Sequence, residues 1–71
     1  MAALTYSASP LTPRETAITS LIVAGRANKQ IARDMGISPQ TVKNHITRII
    51  RKLDLYNRTQ VAVWGARQGL G

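Results

Sequence analysis

The chain has 71 residues, no cysteine and a formal net charge of +7, from ten Lys and Arg against three acids. Its length predicts one small domain with a modest core, and the absence of cysteine excludes disulfides and thiolate metal sites. No apolar run approaches the roughly twenty residues of a membrane span and no signal-peptide pattern occurs, so we expect a cytoplasmic protein attracted to nucleic acid by its charge.

The start of the chain is predicted to be a lead-in followed by a sharply capped helix. Residues 1–10 show no sustained period and end in Ser-Pro, which predicts a flexible linker or residues left from cloning. Thr12 is placed to cap a first helix, Pro13 to open it and Glu15 to complete a T-x-x-E capping box. We expect Glu15 to serve this helix start rather than to contact a partner, and Gly25 to end the helix.

Two short helical segments joined by a glycine come next. Asn28 is predicted to cap a helix over about 29–35. Gly36 is predicted to end it, because glycine has no Cβ and adopts the left-handed conformation of a helix end without steric cost. Ser38 and Pro39 then restart the chain as cap and first helical residue. Helix, tight turn and new helix in this order predict a helix-turn-helix, the unit that places a helix in the DNA major groove.

The third predicted helix, residues 39–53, has an apolar stripe on one side and a polar face without acids on the other. The stripe consists of Val42, Ile46, Ile49, Ile50 and Leu53. The polar face consists of Gln40, Asn44, Thr47, Arg48 and Arg51, with Thr41, Lys43, His45 and Lys52 on its flanks. An ordinary solvated face mixes acids with bases for pairing, so this face indicates a polyanionic partner.

A fourth helix is predicted over about 58–68, with Asn57 as its cap, Gln60 in the capping-box position and Gly69 as its terminator. Four helices without any strand signal predict an all-α, four-helix bundle-like domain containing the helix-turn-helix. Four further arginines are expected to be solvated: Arg26, Arg33, Arg58 and Arg67.

This fourth helix divides into an inner and an outer side. Val61, Gly65 and Trp64 are assigned to the core side, and Tyr56 and Trp64 are expected to be core or edge anchors rather than base-stacking platforms. The outer side carries small and branched residues at i, i+4 and i+7, which predicts contact between two copies. The predicted dimer interface is Thr59, Val63 and Ala66. A monomer with a partly exposed fourth helix is the alternative.

Six short motifs follow one another along the chain: LTPRE at 11–15, NKQIA at 28–32, GIS at 36–38, TVKNHI at 41–46, RKL at 51–53 and NRTQ at 57–60. Together they resemble the LuxR/GerE-type helix-turn-helix domain at the C-terminus of many bacterial transcription regulators. The resemblance implies a DNA-binding domain over residues 11–71, a third helix in the major groove and a fourth helix that forms a homodimer contact. It also implies a fragment of a response regulator or LuxR-like protein, with RNA polymerase as a further candidate partner.

The resemblance and side-chain chemistry assign two classes of DNA contact. Lysine donates to guanine, amides pair with adenine and a threonine methyl touches thymine. The predicted base-reading residues are Gln40, Lys43, Asn44 and Thr47. The predicted phosphate ligands are Lys29, Thr41, His45, Arg48, Arg51 and Lys52. If roughly five phosphates are neutralised, log K falls with log salt at a slope of about −4.5.

Other functions fit the sequence less well. A small helical protein-interaction domain, the leading alternative to sequence-specific double-stranded DNA binding for transcription regulation, would need an exposed apolar groove. A cationic membrane binder would need long helices with bulky apolar faces, and an A-form RNA major groove excludes a helix. His45 stands alone, and Asp34 and Asp54 form no paired carboxylate, so we expect no metal, no cofactor and no enzymatic activity.

Overall fold

The computed structural model describes residues 10–71, and within this range the chain forms four α-helices and no β-strand. These are α1 (Pro13–Val23), α2 (Asn28–Met35), α3 (Pro39–Lys52) and α4 (Arg58–Arg67). The all-α prediction is confirmed, although α3 and α4 each end one residue earlier than predicted. The predicted lead-in lies outside the described residues, apart from its last proline. Within residues 10–71, no helix combines the length and the apolar composition that a membrane span requires.

Local hydrogen bonds at the helix starts follow the predicted caps in three cases. The Thr12 hydroxyl accepts the Glu15 N–H at 3.1 Å, and the Glu15 carboxylate accepts the Thr12 N–H at 2.9 Å, which completes the capping box. Ser38 and Asn57 each accept the N–H three residues ahead, at 3.1 Å and 2.9 Å. The Gln60 side chain differs from the prediction, because it accepts the N–H of the residue before the cap, at 2.6 Å.

The predicted cap of the second helix is wrong. Ala27 occupies the cap position, and Asn28 is the first residue of α2. The Gln30 side chain reaches back to accept the Ala27 N–H at 2.9 Å, so this glutamine supplies the hydrogen bond at the helix start. The Asn28 amide oxygen is engaged elsewhere, where it accepts a hydrogen bond from Arg58. A tertiary contact has therefore replaced the local one that asparagine usually makes.

The turn between α2 and α3 has the predicted left-handed glycine. Gly36 has φ 70° and ψ 34°, and the next residue, Ile37, donates its N–H to the Ala32 carbonyl at 3.0 Å. The preference for glycine here comes from the left-handed backbone conformation itself, which residues with a Cβ rarely adopt, and not from a neighbouring side chain. Ala32 itself is only 3% exposed, so a small side chain occupies the crossing of the two helices. The helix-turn-helix geometry is thereby established.

All four helices contribute aliphatic side chains to one core, which fixes the rotation of each helix about its axis. The apolar stripe of α3 is confirmed, because three of its members are buried and two are half-buried. The buried core consists of Ile18, Ile22, Ile31, Ala32, Val42, Ile46, Ile49 and Val61. Since one side of α3 faces this core, its polar side must face solvent.

The most extensive helix packing joins α1 to α4, and Gly65 lies in this contact. A Cβ at Gly65 would come within 2.6 Å of the Val23 side chain and 2.9 Å of the Thr19 side chain. The predicted core assignment of Val61 and Gly65 is confirmed, because both are buried. Trp64 is not in the buried core: it is half-buried and lines an outer groove, which agrees with an edge anchor rather than a core residue.

Candidate nucleic-acid interface

The solvent-facing side of α3 is an unbroken surface of amides, hydroxyls and cations, and its 14 residues include no acid. Burial of Val42 and Ile49 on the opposite side orients this surface outward. Its exposed members are Gln40, Lys43, Asn44, Thr47, Arg48 and Arg51, while Thr41 and His45 are half-buried along one edge. The structure therefore places all four predicted base-reading residues on one surface. We call these four residues, together with Thr41, His45, Arg48 and Arg51, the α3 polar face.

Two amides of the α3 polar face are already joined in the free domain. The Gln40 side-chain NH₂ donates to the Asn44 amide oxygen at 3.0 Å, across one helical turn. This bond leaves the Asn44 NH₂ as a donor, and an amide oxygen can accept a second hydrogen bond. Asn44 thus retains the donor and acceptor that adenine needs in the major groove. The contact also restricts both side chains before a partner arrives, which lowers the entropic cost of binding.

The hydroxyl of Thr47 is used within the helix. It donates to the Lys43 backbone carbonyl at 3.0 Å, the usual bond from a helical threonine to the preceding turn. Its remaining outward features are a methyl group and an acceptor lone pair. A methyl group suits apolar contact with thymine, whereas the neighbouring exposed ammonium of Lys43 suits guanine.

The predicted phosphate ligands lie in different environments. Lys29 is exposed at the second position of α2. The Thr41 hydroxyl lies 2.9 Å from the Ser38 hydroxyl, next to the start of α3. Among residues 10–71, Nδ1 of His45 is buried and has no hydrogen-bond partner. An external contact by this imidazole must therefore use its other ring nitrogen, Nε2.

Lys52 stands apart from the other predicted phosphate ligands because its ammonium is bound to Glu15. The Lys52 Nζ lies 2.8 Å from the Glu15 carboxylate, whose side chain is 4% exposed while that of Lys52 is 38% exposed. Burial raises the pKa of Glu15, but the hydrogen bonds from Lys52 and from the Thr12 backbone, with the Lys52 charge, outweigh it and lower the pKa below its ordinary value. The predicted role of Glu15 at the helix start is confirmed, and the ion pair is a second role that sequence analysis missed.

Arg58 was expected to be solvated, and this expectation is wrong. Arg58 is half-buried, and its guanidinium donates to the Asn28 amide oxygen and to the Arg26 backbone carbonyl. These contacts tie the start of α4 to the start of α2 across 30 residues of sequence. No local pattern could have indicated them, because an arginine at a helix start usually faces water.

The outer side of α4 carries the predicted dimer residues, and all three are exposed: Thr59, Val63 and Ala66. Val63, at 48% exposure, borders a shallow groove. This groove is lined by Leu55, Thr59, Gln60, Val63, Trp64 and Arg67. Tyr56 precedes the helix and is 87% exposed, so its expected role as a core or edge anchor is wrong. We call Thr59, Val63, Ala66 and the groove the α4 outer surface.

Four helices, a left-handed glycine turn and a cation-rich outward α3 define a helix-turn-helix domain. Residues 9–65 match the family described as "Bacterial regulatory proteins, luxR family". The chain belongs to this family, whose members are DNA-binding transcription regulators.

Individual relatives agree with the family assignment. The chain is similar to "Transcriptional regulatory protein LiaR" of Bacillus subtilis (strain 168), with 48% identity over 60 residues, covering 84% of this chain and 28% of that protein. It is also similar to "Nitrate/nitrite response regulator protein NarL" of Escherichia coli (strain K12), with 46% identity over 54 residues, covering 76% and 25%. The chain thus spans about a quarter of the length of these curated relatives.

A solved structure supports the fold independently of those sequences. The structure of the transcription factor GerE superposes with a TM-score of 0.77 at 39% sequence identity, covering 86% of this chain and 91% of that chain. The agreement extends over nearly all of GerE. The arrangement of the four helices is therefore that of the family.

Proposed function

We propose that this domain binds double-stranded DNA sequence-specifically to regulate transcription, with α3 lying in the major groove. One observation carries the proposal: α3 buries an aliphatic stripe and turns outward a face of amides and cations without an acid. The B-DNA major groove admits an α-helix, and each base pair there presents a distinct pattern of donors and acceptors. Chromosomal DNA as the ligand implies action in the bacterial cytoplasm.

The contacts divide by chemistry. Base edges are assigned to four exposed polar residues between the first turn and the middle of α3: Gln40, Lys43, Asn44 and Thr47. Phosphates are assigned to Lys29, Arg48 and Arg51, to the Thr41 hydroxyl and to Nε2 of His45. Lys52 is left out, because its charge is balanced by Glu15. With three cations on phosphates, the slope of log K against log salt becomes about −2.7 per domain instead of about −4.5.

Selection from a pool of random duplexes tests the proposal directly. We expect enrichment of one defined motif with two related half-sites, because amides and lysine in the major groove discriminate base pairs. The selected duplex should then bind more tightly than a scrambled duplex of the same length and composition. A pool that remains random after repeated rounds would contradict sequence-specific binding, and stronger binding to anionic vesicles at the same salt would favour a membrane ligand.

Asn44→Ala and Lys29→Ala are expected to separate base contact from phosphate contact. Asn44→Ala should weaken binding to the selected duplex by about 1 to 3 kcal/mol and leave the scrambled duplex nearly unchanged. Lys29→Ala should weaken both duplexes by the same factor and flatten the salt slope by about 0.9. Fluorescence anisotropy titrations at several salt concentrations measure both effects. Equal losses on the two duplexes for Asn44→Ala would contradict its assignment to a base.

We also infer that two copies pair through the α4 outer surface. Val63 is the exposed branched residue at its centre, with the half-buried Leu55 and Trp64 beside it in the groove. Small neighbours on the same side permit close approach of a second helix. So small an apolar area gives a weak dimer in the absence of DNA. A two-fold pair would present its two α3 helices to half-sites spaced about one helical turn apart.

Val63→Arg is expected to abolish cooperative occupancy of a two-half-site duplex while leaving affinity for a single half-site unchanged. A charged side chain at the centre of the pair cannot be buried without a partner, whereas α3 is unaffected. Sedimentation velocity with each duplex measures the stoichiometry. Gln68→Arg provides the matched control, because it adds the same charge at an exposed position just past the helix. Unchanged assembly of Val63→Arg on the paired site would refute the dimer.

A further inference from the structure

Arg58 links α4 to the part of α2 that carries Lys29. Its Nη1 donates to the Asn28 amide oxygen, and its Nη2 donates to the Arg26 carbonyl. We propose that Arg58 is a positioning residue for DNA binding, which holds the start of α2 so that Lys29 reaches a phosphate. The inference rests on the proposed DNA-binding function and adds to it a residue outside the α3 polar face.

The two hydrogen bonds of Arg58 restrain both the position and the direction of the start of α2. Asn28 is the first residue of α2, and Arg26 lies in the loop just before it. Because a guanidinium is a planar fork, two of its N–H groups on two different acceptors fix the acceptors relative to each other and to α4. Lys29 is the next residue along the helix, so its backbone position follows from that of Asn28.

The start of α2 needs such a restraint. The helix has only eight residues, and the side-chain hydrogen bond at its start, from the Ala27 N–H to Gln30, is local and does not tie the helix to the rest of the domain. Its buried anchors, Ile31 and Ala32, lie further along the helix. The contacts from Arg58 therefore restrain the end that the core does not hold.

Arg58 acts through its two hydrogen bonds and not through an ion pair. Both of its acceptors are neutral, and the ion pair found in the part of the chain described here joins Lys52 to Glu15 instead. Arg58 itself is the first residue of α4, and helix starts carry partial positive charge that disfavours a cation. The charge of Arg58 therefore gains nothing within the domain, and the two hydrogen bonds of its guanidinium account for its position.

A double-mutant cycle between Arg58 and Lys29 tests the inference on the intact domain. At about 0.15 M salt, Lys29→Ala should lower duplex affinity about five-fold, the effect of one neutralised phosphate. Arg58→Ala should lower it about three-fold beyond the control Arg67→Ala, which removes the same charge at the other end of α4. In the Lys29→Ala background the excess loss for Arg58→Ala should disappear.

Two further variants separate positioning from charge and from folding. Arg58→Lys keeps the charge but cannot bridge both acceptors, so it should lose as much affinity as Arg58→Ala. Asn28→Ala keeps the arginine but removes one acceptor and should act in the same direction. Amide ¹⁵N order parameters at Lys29 and Gln30 should fall in each variant, while those of α3 stay unchanged and circular dichroism shows a folded domain.

The outcomes distinguish the inference from the proposed function. Full affinity of Arg58→Lys, or an equal loss for Arg58→Ala in both backgrounds, would overturn the positioning role while DNA binding stands. An unchanged affinity and salt slope for Lys29→Ala would overturn the phosphate contact itself, and the positioning role with it. The positioning role would be established by two results together: Arg58→Ala has no excess effect in the Lys29→Ala background, and Arg58→Lys loses as much DNA affinity as Arg58→Ala.

Discussion

Ile49→Ala should destabilise the domain by about 3 kcal/mol, the largest single effect expected in this chain. Ile49 is fully buried in the middle of the α3 stripe, where helices from the whole domain meet. Removing its outer carbons loses their transfer free energy and leaves a cavity. A domain of this size has a total stability of roughly 4 to 10 kcal/mol, so such a loss is a large fraction of it.

Thermal unfolding followed by circular dichroism measures the effect. For a domain of 60 to 100 residues each kcal/mol lowers Tm by about 4 to 8 °C, so Ile49→Ala should lower Tm by about 12 to 24 °C. Ile50→Ala, the next residue, is the control, because its side chain is only half-buried. A Tm decrease no larger for Ile49 than for Ile50 would show that the core does not centre on this side of α3.

Glu15→Gln should destabilise the domain by about 2 kcal/mol at neutral pH, and this loss should shrink as the solution is acidified. Glutamine keeps an oxygen for the Thr12 N–H but removes the charge that Lys52 balances. Breaking a fully buried pair costs about 3 to 5 kcal/mol, and the partial exposure of Lys52 reduces that figure.

The sign of the pH dependence follows from the lowered pKa of Glu15. Its carboxylate stabilises the folded state fully above the ordinary pKa of about 4.5, and that contribution is lost as the pH falls through the lower folded pKa. Tm should be measured for the parent and for Glu15→Gln at about pH 7 and about pH 3. The Tm difference between the two proteins should be larger at the higher pH. A difference independent of pH would exclude an ionised Glu15 as the cause.

Lys52→Met tests the same ion pair from its other side, and it also tests whether Lys52 contacts DNA. It removes the ammonium from Glu15 and should destabilise the domain, because a buried carboxylate then lacks its partner. The salt slope of duplex binding should stay unchanged, since Lys52 is not among the proposed phosphate ligands. A decrease of about 0.9 in the slope would place Lys52 on a phosphate after all.

Features that depend on neighbouring residues were predictable from the chain alone. The capping box at Thr12 and Glu15, the cap at Ser38 and the left-handed Gly36 each involve groups within about four residues of one another, so residue type and spacing specify them. The apolar stripe and the polar face of α3 were equally predictable, because helical periodicity assigns residues to the faces of a helix without any knowledge of the fold.

The pairings made across the fold were decided by tertiary packing. The ion pair of Lys52 with Glu15 joins residues 37 apart, and the contact of Arg58 with Asn28 joins residues 30 apart. Among ten cations, residue type does not tell which one meets a buried acceptor and which one remains free for DNA. The close approach of α1 to Gly65 was likewise decided by packing, because the space beside a helix is defined only once its neighbour is in place.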